Sequence, residues 1–305
     1  MTQFHLATYQ SPRGPRAALV VGDKIIDAAD ATGNAADATV LGIVEAWEAS
    51  VKRLDAAVEK SMSTAKPLSS VALLAPIPRP TAIYCAGANY RDHANEMARA
   101  QGKPDPVDPH ELGLRSWHFL KVGHCVVGPG QTVAIPTKTK KLDWEVELAL
   151  VIGKKCRNVA EKDALDVVMG YTVANDLSAR DLGTRAGLPD NSNFRADWVS
   201  HKCFDGSCPM GPWITLARDI PDPHDLKLGL DVNGAKKQDS NSKELIFNIN
   251  EQIADISARI TLYPGDVILT GTPAGVGAGK GEFLKAGDKV RAWVERIGDL
   301  ETTMA

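Results

Sequence analysis

Two glutamates separated by one residue stand inside a largely apolar run, Asp143-Trp-Glu-Val-Glu-Leu-Ala-Leu-Val-Ile-Gly153. A β-strand sends residues i and i+2 to one face, so Glu145 and Glu147 project side by side. Neighbouring carboxylates in a half-buried sheet repel each other and lose hydration, which a cation must offset. Asp176, just past the short apolar stretch 170–174, can supply a third oxygen ligand. Three carboxylates, with water completing the shell, suit a hard ion such as Mg²⁺, Mn²⁺ or Ca²⁺, whereas zinc more often recruits His or Cys. The same spacing also fits an amphipathic strand whose glutamates face solvent and pair with lysines. Spacing alone leaves both readings open.

His93 and Glu96 form a second constellation, in Gly87-Ala-Asn-Tyr-Arg-Asp-His-Ala-Asn-Glu-Met97. On a helix, i and i+3 share a face, so the carboxylate can orient the imidazole and raise its basicity, as a general base for water requires. An exposed helix pair has the same spacing. Lys202, close to the apolar segment 208–213, can stabilise an oxyanion or hold a substrate carboxylate, and Lys121 has the same capacity. Solvated lysines are the alternative for both.

The glycine-rich segment 271–281 invites a nucleotide-binding reading, which fails on detail. Walker A needs glycine where Ala274 stands, and Ser or Thr where Gly281 follows Lys280. No βαβ unit surrounds it, so the dinucleotide pattern fails too. A tight loop is left, with backbone N–H groups and the Thr272 hydroxyl available to a carboxylate. No Gly-x-Ser-x-Gly elbow is present, so water activated near a metal is the simpler hydrolytic route.

The elements that must position these residues fall into two parts. Strands are expected at 4–9, 17–21 and 24–28, the last two joined at Gly22-Asp23, and Thr39 caps a helix running to about residue 60. Three prolines within 76–80 forbid a helix and mark a connector, placing the boundary between a small N-terminal α/β domain, 1–75, and a second domain, 76–305. The second part predicts strands at 82–86, 132–135, 145–152, 170–174, 213–216, 266–271 and 289–296. Helices are predicted at 91–101, 161–168 and 243–259. Strands outnumber helices without regular alternation, which predicts a β-rich α+β fold and not a doubly wound sheet.

With 44% hydrophobic residues, 24% charged residues and a formal net charge of −3, the 305-residue chain has no electrostatic case for nucleic acid or an anionic membrane. No run reaches the length of a membrane span, and the first residues lack a signal-peptide pattern. Five scattered cysteines predict reduced thiols and a cytoplasmic protein.

Taken in order, these segments resemble the fumarylacetoacetate hydrolase family. The matching pieces are Ala88-Asn-Tyr-Arg-Asp-His-Ala-Asn-Glu96, Leu142-Asp-Trp-Glu-Val-Glu-Leu-Ala-Leu-Val-Ile-Gly-Lys154, Asn175-Asp-Leu-Ser-Ala-Arg-Asp181, Lys202-Cys-Phe-Asp205, Pro209-Met-Gly-Pro-Trp213 and Tyr263-Pro-Gly-Asp-Val-Ile-Leu-Thr-Gly-Thr-Pro-Ala-Gly-Val-Gly277. The resemblance implies a β-roll-like catalytic domain, a variable N-terminal domain and a homodimer. It implies Mg²⁺ or Mn²⁺, with Ca²⁺ as a substitute, at Glu145, Glu147 and Asp176. His93 and Glu96 become the dyad on a lid, Lys202 an active-site cation, and Thr272 a contact to the substrate carboxylate, with Lys121 and Arg180 also assigned to substrate. Many relatives carry Gln where this chain has Gly183, which speaks against a pure oxaloacetate decarboxylase and lets the stretch 184–198 reshape that side of the pocket. The expected reaction is hydrolytic C–C cleavage of an acylpyruvate-like 2,4-dioxo acid. The alternatives are isomerisation or decarboxylation of a related 2-oxo or 2-hydroxy-diene diacid, and a binding protein without turnover.

Overall fold

Short apolar runs punctuated by turn residues open the chain as a meander: β1 (His5–Ser11), β2 (Gly14–Val21) and β3 (Lys24–Asp27). The computed structural model describes residues 2–305. Between β2 and β3, Gly22 takes φ +57°, so the Gly22-Asp23 order suits a turn whose first central residue is left-handed. Thr39 caps a helix as expected, accepting the Gly42 N–H at 3.0 Å. The helix is not continuous to residue 60, however. It breaks at Ala46 into α1 (Val40–Glu45) and α2 (Trp47–Val58). The break lets Val40, Ile43 and Val44 from one segment and Leu54 and Val58 from the other reach the same core.

Beyond the prolines come β4 (Ile83–Ala86), α3 (Arg91–Ala100), β5 (His118–Lys121), β6 (Val146–Ile152), β7 (Val168–Asn175), α4 (Trp198–Lys202) and β8 (Cys208–Leu216). The chain continues through β9 (Lys227–Val232), β10 (Ala235–Asn241), α5 (Ile249–Arg259), β11 (Val267–Leu269), β12 (Lys289–Val294) and β13 (Gly298–Met304). Two predicted helices shrink. Residues 161–167 form only a 3₁₀ segment before β7 begins, and α5 starts at Ile249 because Asn248 and Glu251 close a capping box there. The hairpin β9–β10, unforeseen, turns at Asn233-Gly234, where both residues take positive φ (52° and 78°).

The larger sheet has twelve strands, with its main path running β3-β2-β1-β8-β7-β6-β11-β4-β5. Every neighbouring pair on that path is antiparallel except β11 with β4. The N-terminal strands join the rest through His5↔Thr215 and Leu6↔Ile214, so the proline connector lies between strands of one sheet. A second sheet, led by β10-β9-β12-β13, packs on one face of β6 and β7. Val146, Leu148, Leu150 and Ile152 face that sheet's Leu228, Leu230, Val290 and Ala292. Ala149 and Val151 face the opposite way, among Phe4, Leu6, Val44 and Leu54. Because β6 is covered on both sides, its sequence is apolar at nearly every position. The β-rich α+β architecture is the one expected.

Candidate active site

Strand alternation puts Glu147 on the Ala149/Val151 side of β6, with Glu145 one step before the strand on the same side. The pairing Val146↔Asn175 and Glu147↔Ala174, continued by the Asp176 N–H donating to the Glu145 carbonyl at 2.8 Å, sets Asp176 opposite Glu145. Oxygens of all three carboxylates lie within 4.8 Å of one another. Their residues are 6%, 1% and 1% exposed, which rules out the solvent-facing amphipathic strand.

Such burial needs cations, and the chain supplies three. Lys202 Nζ contacts Asp176 Oδ2 at 2.6 Å and Glu145 Oε2 at 3.0 Å. Lys121 Nζ contacts Asp176 Oδ1 at 2.8 Å. Arg180 bridges Glu145 Oε1 at 2.5 Å and Asp143 Oδ2 at 2.8 Å. Burial works to raise the Glu145 carboxyl, but Lys202 and Arg180 outweigh it and hold the group below the usual carboxylate range. Glu147 has no such partner. Burial first, then the charges of Asp176 and Glu145, push its carboxyl well above the ordinary value, despite the Gly271 N–H donated at 2.5 Å. Counting Asp143, four carboxylates face three cationic side chains, and Glu147 is the one left without a cationic partner.

Lys121, expected at the substrate, is enclosed by protein groups. Its ammonium is wholly buried and donates to the Leu177 carbonyl at 3.3 Å, the Ser207 carbonyl at 2.9 Å, Ser207 Oγ at 3.1 Å and the Lys202 carbonyl. Burial opposes its charge, yet Asp176 keeps it protonated by raising its affinity for the proton. It anchors Asp176 and the Lys202 turn together. Arg180 likewise faces carboxylates of the protein itself, with 22% of its side chain exposed.

The glycine-rich segment turns its backbone N–H groups toward the chain's own acids. Gly271 serves Glu147, Ala274 serves Asp92 (3.2 Å), Gly275 serves Glu96 (2.8 Å), and Gly277 and Ala278 serve Asp143 (2.6 and 3.0 Å). Gly271 and Gly275 take φ +106° and +99°, and a Cβ at Gly275 would stand 2.1 Å from the Lys237 carbonyl oxygen, so only glycine fits there. Those N–H groups were expected to be free for a ligand; most are already satisfied. Thr272 Oγ1 accepts Gln238 Nε2 at 2.9 Å and keeps its own hydroxyl proton to donate.

This loop also holds α3, which carries His93. Asp92 takes the Ser240 hydroxyl at 2.6 Å as well as the Ala274 N–H, and Glu96 takes the Gly275 N–H. Arg91–Asp108 (3.0 Å) and Arg99–Asp105 (2.7 Å) tie α3 to the segment that follows it. Asn89 locks the entry to α3 by donating to the Phe247 and Thr270 carbonyls and accepting the Phe247 N–H. These contacts hold the helix in place. His93 Nδ1 lies 3.9 Å from Glu96 Oε2, an ion-pair separation longer than a hydrogen bond. Burial works to raise the Glu96 carboxyl, while His93 and the Gly275 N–H bring it below the ordinary value. One loop serves both elements, Gly271 through Glu147 and Gly275 through Glu96, so α3 lies beside the carboxylate cluster.

Sequence reasoning missed Asp143, Gln238 and His201. Asp143 lies inside a quoted motif, two residues before Glu145, and that parity was the available signal. Gln238 offered no local signal, because it reaches the site from the hairpin across the second sheet, where its Oε1 accepts the Val146 N–H at 2.9 Å.

The family model described as fumarylacetoacetate (FAA) hydrolase C-terminal matches residues 82–305. The rat (Rattus norvegicus) protein named oxaloacetate tautomerase Fahd2a, mitochondrial, is 41% identical over 234 residues, 76% of this chain and 69% of that one. Among solved structures, maleylpyruvate hydrolase from Sphingobium sp. SYK-6, in complex with manganese (II) ion and pyruvate, shares 31% identity and a TM-score of 0.75, covering 99% of this chain and 98% of its own. The 5-carboxymethyl-2-hydroxymuconate delta-isomerase of Mycobacterium smegmatis shares 31% identity and a TM-score of 0.74 over 99% and 98% of the two chains. Among the described residues no helix is long and apolar enough to cross a membrane. Ordered motifs, fold and matched length agree, and the chain belongs to the fumarylacetoacetate hydrolase family.

Proposed function

We propose that this chain is a divalent-metal-dependent enzyme that hydrolyses a C–C bond in an acylpyruvate-like 2,4-dioxo acid. One observation carries the reading: a helix bearing His93 and Glu96 is seated beside a buried cluster of three carboxylates. The donor set fits the group. It is all oxygen, it has no Cys or His, and Glu147 in it lacks a cationic partner, which a hard divalent cation would supply. Glu145, Glu147 and Asp176 would hold Mg²⁺ or Mn²⁺. When bound, such an ion supplies Lewis-acid polarisation of the 2-oxo acid and stabilises negative charge developing on it.

The chain's own residues do the rest. His93, with Glu96 beside its Nδ1, takes a proton from a water that attacks the C4 carbonyl. Lys202, held at Glu145 and Asp176, offsets the charge that develops on the attacked oxygen. The C3–C4 bond breaks, C4 leaves as a carboxylic acid, and the proton on His93 passes to C3 to give the 2-oxo acid. The Thr272 hydroxyl and the exposed part of Arg180 would meet the substrate carboxylate, while Arg180 stays paired with Asp143 and Glu145 and Lys121 holds Asp176. The family resemblance supports a homodimer, and five free cysteines support a reducing, cytoplasmic compartment.

A second reading, keto–enol isomerisation of an oxaloacetate-like diacid, is favoured by the identity to the rat tautomerase. It uses His93 for proton transfer at C3 and needs no attacking water. Metal-loaded protein given acetylpyruvate and oxaloacetate in D₂O, with products followed by NMR, separates the two. Two carbonyl fragments are expected from the first substrate. Deuterium incorporation at C3 without cleavage would favour isomerisation, and CO₂ would favour decarboxylation. His93→Gln should lower kcat by about 100-fold or more while leaving Mn²⁺ affinity unchanged; an unaltered rate would remove His93 from the mechanism.

A further inference from the structure

A second histidine stands by the carboxylate cluster with no task assigned to it. His201 occupies the last turn of α4, one residue before Lys202. Its ring closes an aromatic ladder: Phe119 lies 5.0 Å beneath Lys202 Nζ, Trp198 stacks on Phe119 with centroids 5.3 Å apart, and His201 lies 5.6 Å from Trp198. The charges acting on the ring are those of the site, Lys202, Arg180, Glu145 and Lys121. Burial first, then these cations, lower its pKa to about 3, so the imidazole is neutral at physiological pH. His118 is also held neutral by burial, but the groups acting on it are Gln252, Asp255 and Arg259, away from the cluster.

His201 Nε2 is buried and has no hydrogen-bond partner among the described residues. Leaving a buried polar nitrogen unpaired is unfavourable, and here no carboxylate orients the ring as Glu96 serves His93. The backbone leaves room for this ring in particular. Gly183 packs on it so closely that a Cβ would stand 3.0 Å from Nδ1 and 3.2 Å from Cγ. Gly183 itself is right-handed helical (φ −71°, ψ −17°), a conformation any residue adopts. The absence of a side chain there follows from space for His201 and not from backbone strain. The excursion from 184 to 196 then closes on itself through the Thr184↔Ala196 bridge and the Asp197 N–H to Gly183 carbonyl bond, returning α4 to this place.

We propose that His201 is a specificity residue whose imidazole hydrogen-bonds an uncharged polar group, a hydroxyl or carbonyl, carried on the acyl chain beyond C4 of the substrate. The inference rests on the 2,4-dioxo acid reading and narrows it: the acyl group is oxygenated, not a plain alkyl chain. A neutral imidazole beside paired cations and anions offers one donor and one acceptor without adding charge. A hydroxyl satisfies the orphaned nitrogen, whereas a methyl leaves it unpaired.

The test compares 2,4-dioxopentanoate with 5-hydroxy-2,4-dioxopentanoate on the metal-loaded protein, in wild type, His201→Leu, His201→Gln and Gly183→Ala. Wild type should prefer the hydroxylated acid. His201→Leu should lower its kcat/KM about 10- to 100-fold, mainly through KM, and change the methyl substrate by less than about twofold. His201→Gln should retain much of the preference by offering an amide. Gly183→Ala, which crowds the ring without straining the backbone, should shift the preference the same way as His201→Leu. Equal losses on both substrates, no loss on the hydroxylated one, or a wild-type preference for the methyl acid would overturn the proposal while leaving the hydrolase reading intact. If wild type cleaves neither acid, the hydrolase reading fails and the inference fails with it.

Discussion

Lys202→Met should make the fold depend on a divalent cation. Lys202 Nζ is buried between Asp176 and Glu145 at 2.6 and 3.0 Å, and at an effective dielectric of 20 each contact amounts to roughly 5–6 kcal/mol of Coulomb attraction. Much of that offsets desolvation of the ions, so the loss on removing one partner is expected at about 3–5 kcal/mol. Methionine keeps most of the side-chain volume, which confines the change to charge. For a chain of this size the deficit lowers Tm by roughly 2 °C per kcal/mol or somewhat less. If Glu145, Glu147 and Asp176 hold a cation, Mn²⁺ at about 1,000 times its Kd returns about 4 kcal/mol by linkage and largely restores the melting point. The variant should also bind Mn²⁺ more tightly than wild type, because no ammonium competes for Glu145 and Asp176. Thermal scans in chelator and in Mn²⁺, with calorimetric titration, measure both effects. A variant as stable as wild type in chelator, or one that Mn²⁺ fails to stabilise, would refute the charge accounting of the site.

Other consequences are equally direct. Asp143→Asn places an amide against the Gly277 and Ala278 N–H groups and Arg180 Nε, so about 2–4 kcal/mol should be lost in chemical denaturation. Glu96→Gln keeps an acceptor for the Gly275 N–H but removes the carboxylate charge beside His93 Nδ1, so kcat should fall while thermal stability changes little. His5 stacks on Trp213 and hydrogen-bonds Thr215, and burial lowers its pKa from 6.5 to about 4. Between those values the unfolded chain binds more protons, so stability is intact above pH 6.5 and falls as pH drops toward 4, by roughly 2–3 kcal/mol from this group. His5→Gln should flatten that part of the profile, and an unchanged difference between pH 7 and pH 4.5 would exclude His5 as the cause.

Much of the site was legible because its residues sit in short local patterns. Alternation put Glu145 and Glu147 on one face, and helical spacing put His93 and Glu96 together; both juxtapositions occur in the structure. The hairpin at Asn233-Gly234 carried an equally clear turn signal and was overlooked. The break at Ala46 was not legible, since nothing in its neighbours' types opposes a continuous helix; the requirement that both halves reach one core decided it. The surroundings of Lys121 were hidden for a related reason. A lysine's neighbours in sequence do not reveal that its ammonium will be enclosed by the Leu177, Lys202 and Ser207 carbonyls.

By itself, then, the sequence determined which side chains share a face, which loops must be glycine, and which ordered motifs place the chain in its family. Tertiary structure alone decided that the glutamate face is buried, because strands far away in sequence cover both sides of β6. It also decided where the charges are balanced. Lys202 meets Glu145 from 57 residues away, Lys121 reaches Asp176 from β5, and the glycine-rich loop turns its N–H groups to Asp92, Glu96, Asp143 and Glu147. Periodicity is a property of a few consecutive residues, whereas burial and charge pairing depend on which distant segments the sheet brings together.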